Sequence, residues 1–251
     1  MTGPTVSALR LKHPRGAASL PDAPTTAAGR ILGVALLADT LPGSVGEDAP
    51  NEHVTASLAV RWSAPPDTLA AAAVDARLRH LRGHAPYLAI EGRIRTAEGG
   101  LVASTLALFA PVPAMEMPDD HADTLSSDLV GGALDEAARA ALGDGAPFAL
   151  RPEWANRRGI LHGAVGSALA SIAAARALMG PDGWSPDAWP RLADAHVRFI
   201  RPIRSDKLRL EVEVLRRSAR SADVDVRAFA GTEPALLGRY LLAAPLRTSV
   251  G

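Results

Sequence analysis

The feature of this sequence that most constrains its fold is an internal repeat. One strand-like segment ends in Arg61-Trp62-Ser63-Ala64-Pro65, and a later one ends in Arg198-Phe199-Ile200-Arg201-Pro202. The two Arg and the two Pro are each 137 residues apart (198 − 61 and 202 − 65). Each half contains one compact apolar helix followed by about four strand-like segments. A repeat of this length is too long for a solenoid unit, so the pattern predicts duplicated domains.

Alternating apolar residues indicate the strands. In the segment 53–63, for example, Val54, Ala56, Leu58, Val60 and Trp62 share one predicted face. Period-two patterns joined by Gly and Pro turns are typical of an antiparallel sheet. The predicted helices cover 28–41, 129–142 and a segment ending at Met179. The predicted strands cover 6–11, 53–63, 69–82, 87–96, 101–109, 148–150, 192–200, 207–216, 221–230 and 236–246. Strands and helices in this order predict an α+β protein with domains at 1–112 and 129–251 and a linker at 113–128.

Composition narrows the function classes. The 251 residues include 27 Lys and Arg and 27 Asp and Glu, so a zero net charge does not indicate a nucleic-acid binder. The chain has no Cys, which excludes disulfides, thiolate catalysis and Cys-based zinc sites. The seven His show no metal-ligand spacing, so we expect no metal and no redox cofactor. Because no signal-like or membrane-spanning run is present, we expect a soluble cytoplasmic protein that binds no membrane.

The stretch from Asn156 to Met179 combines a polar, Gly-containing start with a small-residue apolar helix. His162 and Gly163 lie where the loop becomes the helix. The first N–H groups of a helix have no partner within it, and the helix dipole is positive at that end. This arrangement predicts a place that polarises a carbonyl group or holds an anion.

Asn156, His162 and Gly163 form an Asn-x5-His-Gly motif, and the later segment Val197–Pro202 contains Phe-x-x-Pro. These motifs resemble those of hot-dog acyl-CoA thioesterases of the phenylacetyl-CoA thioesterase type. The resemblance is good over residues 145–246 and weaker over 28–111. It implies two tandem hot-dog domains, each a long helix wrapped by a curled antiparallel sheet. It also implies a hydrolase of acyl-CoA with a role in fatty acid metabolism, whose coenzyme A belongs to the substrate, and it allows homodimers or larger assemblies.

The sequence departs from this family at the helix acid. The family has a second Gly where this chain has Ala164, and an Asp where it has Ser171, nine residues after His162. In the first half, however, the aligned helix carries Asp39, with Arg30 in place of the His. Each half has thus lost a different part of the motif. The resemblance therefore implies one composite site, with Asp39 facing Gly163, and an inactive counterpart containing Arg30 and Ser171.

Candidate roles follow from thioester chemistry. An ionised Asp39 is a base or a nucleophile, and the N–H of Gly163 polarises the thioester carbonyl. Asn156 is a candidate to bind the water or the carbonyl, His162 to hold the loop or contact the thioester, and Thr40 to orient Asp39. The candidates for binding the coenzyme A phosphates are arginines, namely Arg79, Arg82, Arg201 and Arg204.

Plainer interpretations compete with these roles. Asp39 fits a solvated residue at a helix end, and Asn156 fits a turn residue. His162-Gly163 fits the simple start of a helix, and exposed arginines are usually only solvated. A serine hydrolase built on Ser171 is disfavoured because Gly-x-Ser-x-Gly is absent. A non-catalytic acyl-CoA or acyl-chain binding or regulatory protein of the same fold is the main alternative. A hot-dog hydratase or dehydratase using Asp144 or Glu153 ranks below it.

Overall fold

The computed structural model describes residues 17–19, 24–39, 52–63, 73–79, 87–95, 99–113, 127–156, 158–179 and 191–243. Three α-helices lie within these ranges: α1 Ala27–Asp39, α2 Ser127–Asp144 and α3 Gly163–Met179. Ten strands accompany them: β1 Ala17–Ser19, β2 Glu52–Trp62, β3 Ala73–Arg79, β4 Leu88–Arg95, β5 Leu101–Val112, β6 Phe148–Ala149, β7 Arg191–Phe199, β8 Lys207–Arg217, β9 Ser221–Ala230 and β10 Glu233–Ala243. The strand expected at 6–11 falls outside the described residues.

All ten strands form one sheet, in the order β1-β3-β4-β5-β2-β7-β10-β9-β8-β6. Every neighbouring pair is antiparallel. The order is symmetric about its centre, since β2, β5, β4 and β3 are arranged like β7, β10, β9 and β8. At the centre β2 pairs directly with β7, with Leu58 opposite Val197 and Val60 opposite Ala195. The two halves of the chain therefore share one continuous set of backbone hydrogen bonds.

Helix α3 lies at the centre of the core. Each residue from Ala164 to Arg176 is buried, so the helix has no exposed face over three and a half turns. A helix that is apolar all round is stable only when other elements surround it. The surrounding elements here are α1, α2 and the inner face of the sheet, all of which contact α3. Within the described ranges, no helix has the length and apolarity needed to cross a bilayer.

Helix α2 is fixed to α3 by a buried ion pair. Arg176 on α3 donates from Nε and from a terminal nitrogen to the two carboxylate oxygens of Asp135, both at 2.5 Å. Such a bidentate pair sets the relative position of two helices more narrowly than apolar contact does. On its other side, α2 crosses α1 at a glycine. A side chain at Gly131 would place its Cβ 2.7 Å from the carbonyl carbon of Ala28 and 2.8 Å from the Cα of Gly29.

We therefore expect Gly131→Ala to lower the free energy of unfolding by about 1–3 kcal/mol, because backbone atoms of α1 must move to admit the methyl group. The neighbouring Gly132 is the matched control, since a Cβ there meets no atom within 4 Å. Gly132→Ala should stabilise the protein by about 0.5–1 kcal/mol through its higher helix propensity. Urea denaturation of both variants provides the measurement, and equal effects would contradict the close crossing of α1 and α2.

Candidate active site

The loop before α3 is shaped by Asn156. Its side-chain oxygen accepts the N–H groups of Arg158 at 2.9 Å and Ile160 at 3.3 Å. Its own N–H donates to the carbonyl of Ile160 at 2.7 Å. Gly159, at the tip of the turn, has a φ of +64°, which favours glycine. The oxygen of Asn156 thus holds the turn, as the plainer interpretation expects, while the residue also lines the cavity described below.

The end of α1 meets the start of α3. Asp39 is the last residue of α1 and Gly163 the first of α3. The N–H of Ala164 donates to Asp39 Oδ2 at 2.9 Å. A carboxylate is unfavourable at the C-terminus of its own helix and favourable at the N-terminus of another. Asp39 therefore gains its stabilisation from α3 and not from α1.

Two more side chains hold this carboxylate. The hydroxyl of Thr55 on β2 donates to Asp39 Oδ1. His162 Nδ1 lies 3.1 Å from Asp39 Oδ2. The same nitrogen lies 3.2 Å from the Ala164 N–H. We place a proton on Nδ1, because donation to a charged carboxylate gives the stronger bond and leaves the Ala164 N–H to Asp39. Only 5% of the Asp39 side chain is exposed, so these partners replace water.

Burial and hydrogen bonding act on Asp39 in opposite directions. Burial is the largest single influence and raises the pKa of its carboxyl group. The hydrogen bond and charge of His162, the Thr55 hydroxyl and the Ala164 N–H together outweigh it, so that the pKa lies below its ordinary value. Asp39 is therefore ionised throughout the neutral range.

This shift predicts a pH-dependent contribution to stability. Because the folded pKa of Asp39 is lowered, its carboxylate stabilises the fold above the unfolded pKa of about 3.9 and ceases to do so as the pH falls through the folded value. The difference in unfolding free energy between the wild type and Asp39→Asn should therefore shrink from pH 7 to pH 3. Urea denaturation at both pH values measures it, with the exposed Asp194→Asn as the control. A difference that stays constant with pH would contradict the shift.

A cavity of about 470 Å³ opens beside these groups. Among its lining residues Tyr87 and Ile200 are exposed, whereas Phe109 and Leu161 are buried. Arg158 and Arg201 are its cationic lining residues. The complete lining comprises Asp39, Val54, Thr55, Ala56, Tyr87, Phe109, Ala110, Asn156, Arg158, Ile160, Leu161, His162, Gly163, Phe199, Ile200, Arg201, Pro202 and Ile203. An apolar cavity with a few convergent polar groups is the usual form of a small-molecule site.

Known proteins resemble this chain in sequence over part of its length and in fold over most of it. Residues 150–242 match the family of acyl-CoA thioesterase N-terminal domains. The fold matches the tesB protein of Mycobacterium avium subspecies paratuberculosis, with a TM-score of 0.59 at 12% identity over 91% of this chain and 92% of that one. The chain has the hot-dog fold, and its residues 150–242 are similar to an acyl-CoA thioesterase domain.

Other hot-dog structures resemble this protein at similar levels. The 12:0-ACP thioesterase of Umbellularia californica has a TM-score of 0.54 at 11% identity, over 95% of this chain and 91% of that one. A MaoC-like dehydratase has a TM-score of 0.56 at 12% identity, over 89% and 85%. No curated protein matches the sequence. The predicted α+β hot-dog class is confirmed, and the family match supports a thioester hydrolase. The domain boundaries and the cytoplasmic location stay predictions.

The structure of this hot-dog protein brings three candidate residues together, Asp39, His162 and Gly163. Thr40 and Arg82 lie outside the described residues, and only the backbone of Arg79 is described, on β3. Arg201 lines the cavity but is bound to Glu233 at 2.5 Å. Arg204 is not among the lining residues, and it donates to the carbonyl of Arg158 at 3.1 Å.

Thr55 and Arg158 line the cavity but were not among the residues predicted from the sequence. The strand around Thr55 was expected to alternate without interruption, and this expectation was wrong. A register shift between Thr55 and Ser57 interrupts the pairing of β2 with β5, so that Thr55 meets Asp39 although it lies between Val54 and Ala56. A bulge leaves no clear trace in an apolar pattern. Arg158 could have been predicted, because it lies two residues after Asn156 in the sequence.

Proposed function

We propose that this protein hydrolyses acyl-CoA thioesters at a single site, where the end of α1 meets the start of α3. The observation that carries the proposal is the buried Asp39 carboxylate beside the N-terminus of α3. Gly163 is the first residue of α3, so its N–H has no acceptor within the helix and is available to the thioester oxygen. The helix dipole stabilises the negative charge that develops there.

Asp39 fits the role of general base. An ionised carboxylate has about four acceptor positions, and Ala164, His162 and Thr55 occupy three of them. One position is left for a water molecule. The water oxygen attacks the thioester carbon and its proton passes to Asp39. The C–S bond breaks, the acid is released, and the proton leaves with the thiolate of coenzyme A. Direct attack by the Asp39 carboxylate on the thioester carbon would use the same open position.

The test is release of free thiol. The protein is incubated with acetyl-, hexanoyl-, phenylacetyl- and palmitoyl-CoA, and thiol is measured with a colorimetric reagent. Turnover of at least one substrate is expected. The alternative, a non-catalytic acyl-CoA binding protein, predicts saturable binding in calorimetry without thiol release. That result would overturn the proposal.

The coenzyme A phosphates lie on the side of Arg158 and Arg201 in this proposal, because these cations line the cavity. Arg158→Gln should raise the KM for acyl-CoA by about 10- to 150-fold, the loss expected for one charge-assisted hydrogen bond of about 1.5–3 kcal/mol. The matching thioester of N-acetylcysteamine has no phosphates, so its KM should change little. An equal rise for both substrates would show that Arg158 acts on the loop and not on the phosphates.

A further inference from the structure

A second, much smaller cavity lies between α1, β2, α3 and β7, all four of which also contribute to the first. Its volume is about 20 Å³, enough for about one water molecule. Its lining comprises Ile31, Val34 and Ala35 of α1, Leu58, Val60 and Trp62 of β2, Ser167 and Ser171 of α3, and Ala195 and Val197 of β7. On each element these residues lie further from the Asp39–Gly163 junction than those lining the first cavity. The small cavity thus lies behind the large one.

The internal repeat relates the two cavities. Trp62 of the small cavity is the counterpart of Phe199 in the large one, at the 137-residue offset of the strands. The helices align at 132 residues (171 − 39 and 163 − 31), so Ser171 is the counterpart of Asp39 and Ile31 of Gly163. Three residues of the small cavity thus belong to the equivalent site of the other half, while Ala35 and Ser167, Leu58 and Ala195, and Val60 and Val197 are counterparts of each other and lie between the two halves. A buried isoleucine stands in the small cavity where the open site has glycine.

The wall between the cavities is built of paired strand residues. Leu58 and Val197 lie opposite each other on β2 and β7, and each is 1% exposed. On their strands they are the small-cavity residues nearest to Thr55 and Phe199 of the large cavity. The ring of Phe199 packs against α3, since a Cβ at Gly166 would lie 3.0 Å from its Cε1 atom. The interior is close-packed here, and the two cavities share no lining residue.

We propose that the acyl pocket ends at the Leu58–Val197 pair, so that the substrates are CoA thioesters of short or compact acyl groups. This inference rests on the proposed hydrolase function. The volume of about 20 Å³ behind this pair leaves no space into which a long chain would extend from the thioester. The large cavity must accommodate the acyl group together with the adjoining end of the pantetheine arm.

The test is kcat/KM across straight-chain acyl-CoA esters from acetyl to palmitoyl, with phenylacetyl-CoA. The wild type should fall at least about tenfold from hexanoyl to dodecanoyl. A wild type that is most active on dodecanoyl- or palmitoyl-CoA would overturn the inference and leave the hydrolase function intact. If no ester releases thiol, it is the proposed function that fails.

Val197→Ala opens the wall, and the ratio of dodecanoyl to hexanoyl activity should rise about tenfold. The matched control is Val226→Ala, the same change at a fully buried position of β9 that lines neither cavity. It should leave the ratio unchanged. Leu58→Val is the second variant if Val197→Ala does not fold, and its ratio should rise in the same direction. An unchanged ratio in a folded wall variant would overturn the inference.

Discussion

Asp39→Asn is expected to lower kcat for acyl-CoA hydrolysis by about 10²- to 10⁴-fold, the range that a positioned general base contributes. Asparagine has nearly the same shape as aspartate, and its amide oxygen accepts the Ala164 N–H in place of the carboxylate oxygen. The amide cannot take a proton from water at neutral pH. The loss should therefore appear in kcat, with the affinity for acyl-CoA largely kept.

The comparison needs a variant that removes the same charge elsewhere. Asp194 is on β7, its side chain is 42% exposed, and it pairs with Arg61 at 3.5 Å. Exposed pairs of this kind contribute little, so Asp194→Asn should keep kcat within about twofold of the wild type. Stopped-assay thiol release and calorimetric binding are measured for both variants. Full activity in Asp39→Asn would remove Asp39 from the chemistry without affecting the fold assignment.

Gly163→Ala is expected to produce the second large effect. A Cβ at this position would lie 2.7 Å from the Cβ of Thr55 and 3.0 Å from Asp39 Oδ1. The Cβ of Thr55 is fixed to its strand, and Asp39 Oδ1 is held by the Thr55 hydroxyl, so both the strand and the carboxylate must move. A displacement of about 1 Å in a catalytic group lowers rates by about 10²-fold. The free energy of unfolding should also fall, by about 1–3 kcal/mol.

Gly132→Ala separates this effect from the general consequences of adding a methyl group to a helical glycine, because its Cβ would meet open space. That variant should retain full activity. Crystal structures or amide chemical shifts near Thr55 would reveal the displacement directly. A Gly163→Ala protein with wild-type kcat would contradict the close contact between Gly163, Thr55 and Asp39.

The helices and strands followed from local patterns. Helix α1, expected at 28–41, spans Ala27–Asp39, and β9 has the expected bounds of 221–230. Alternation and helical periodicity are properties of neighbouring residues, so they can be recognised without knowing the rest of the molecule. A helix near 129–142 was expected in the same way, and it spans Ser127–Asp144. Its packing on α1 through Gly131 depends on distant atoms and could not be anticipated.

Only part of the candidate site could be predicted from the sequence. The proximity of Asp39 to Gly163 was implied by the resemblance to hot-dog thioesterases, once the repeat had aligned the two helices as counterparts. The catalytic roles of these residues stay proposals. Thr55 could not be found, since its contact with Asp39 depends on a bulge in β2. The small size of the second cavity could not be predicted either, because it depends on which side chains fill one volume between four elements.

The pairing of β2 with β7 within a single chain has a consequence for how the protein could change over time. In an assembly of two identical chains, every substitution occurs twice, so a residue that closes one site closes its equivalent too. Here the equivalent positions Ile31 and Gly163 are separately encoded. The two positions can therefore carry different residues, so that isoleucine packs the core at one of them while glycine leaves room at the other.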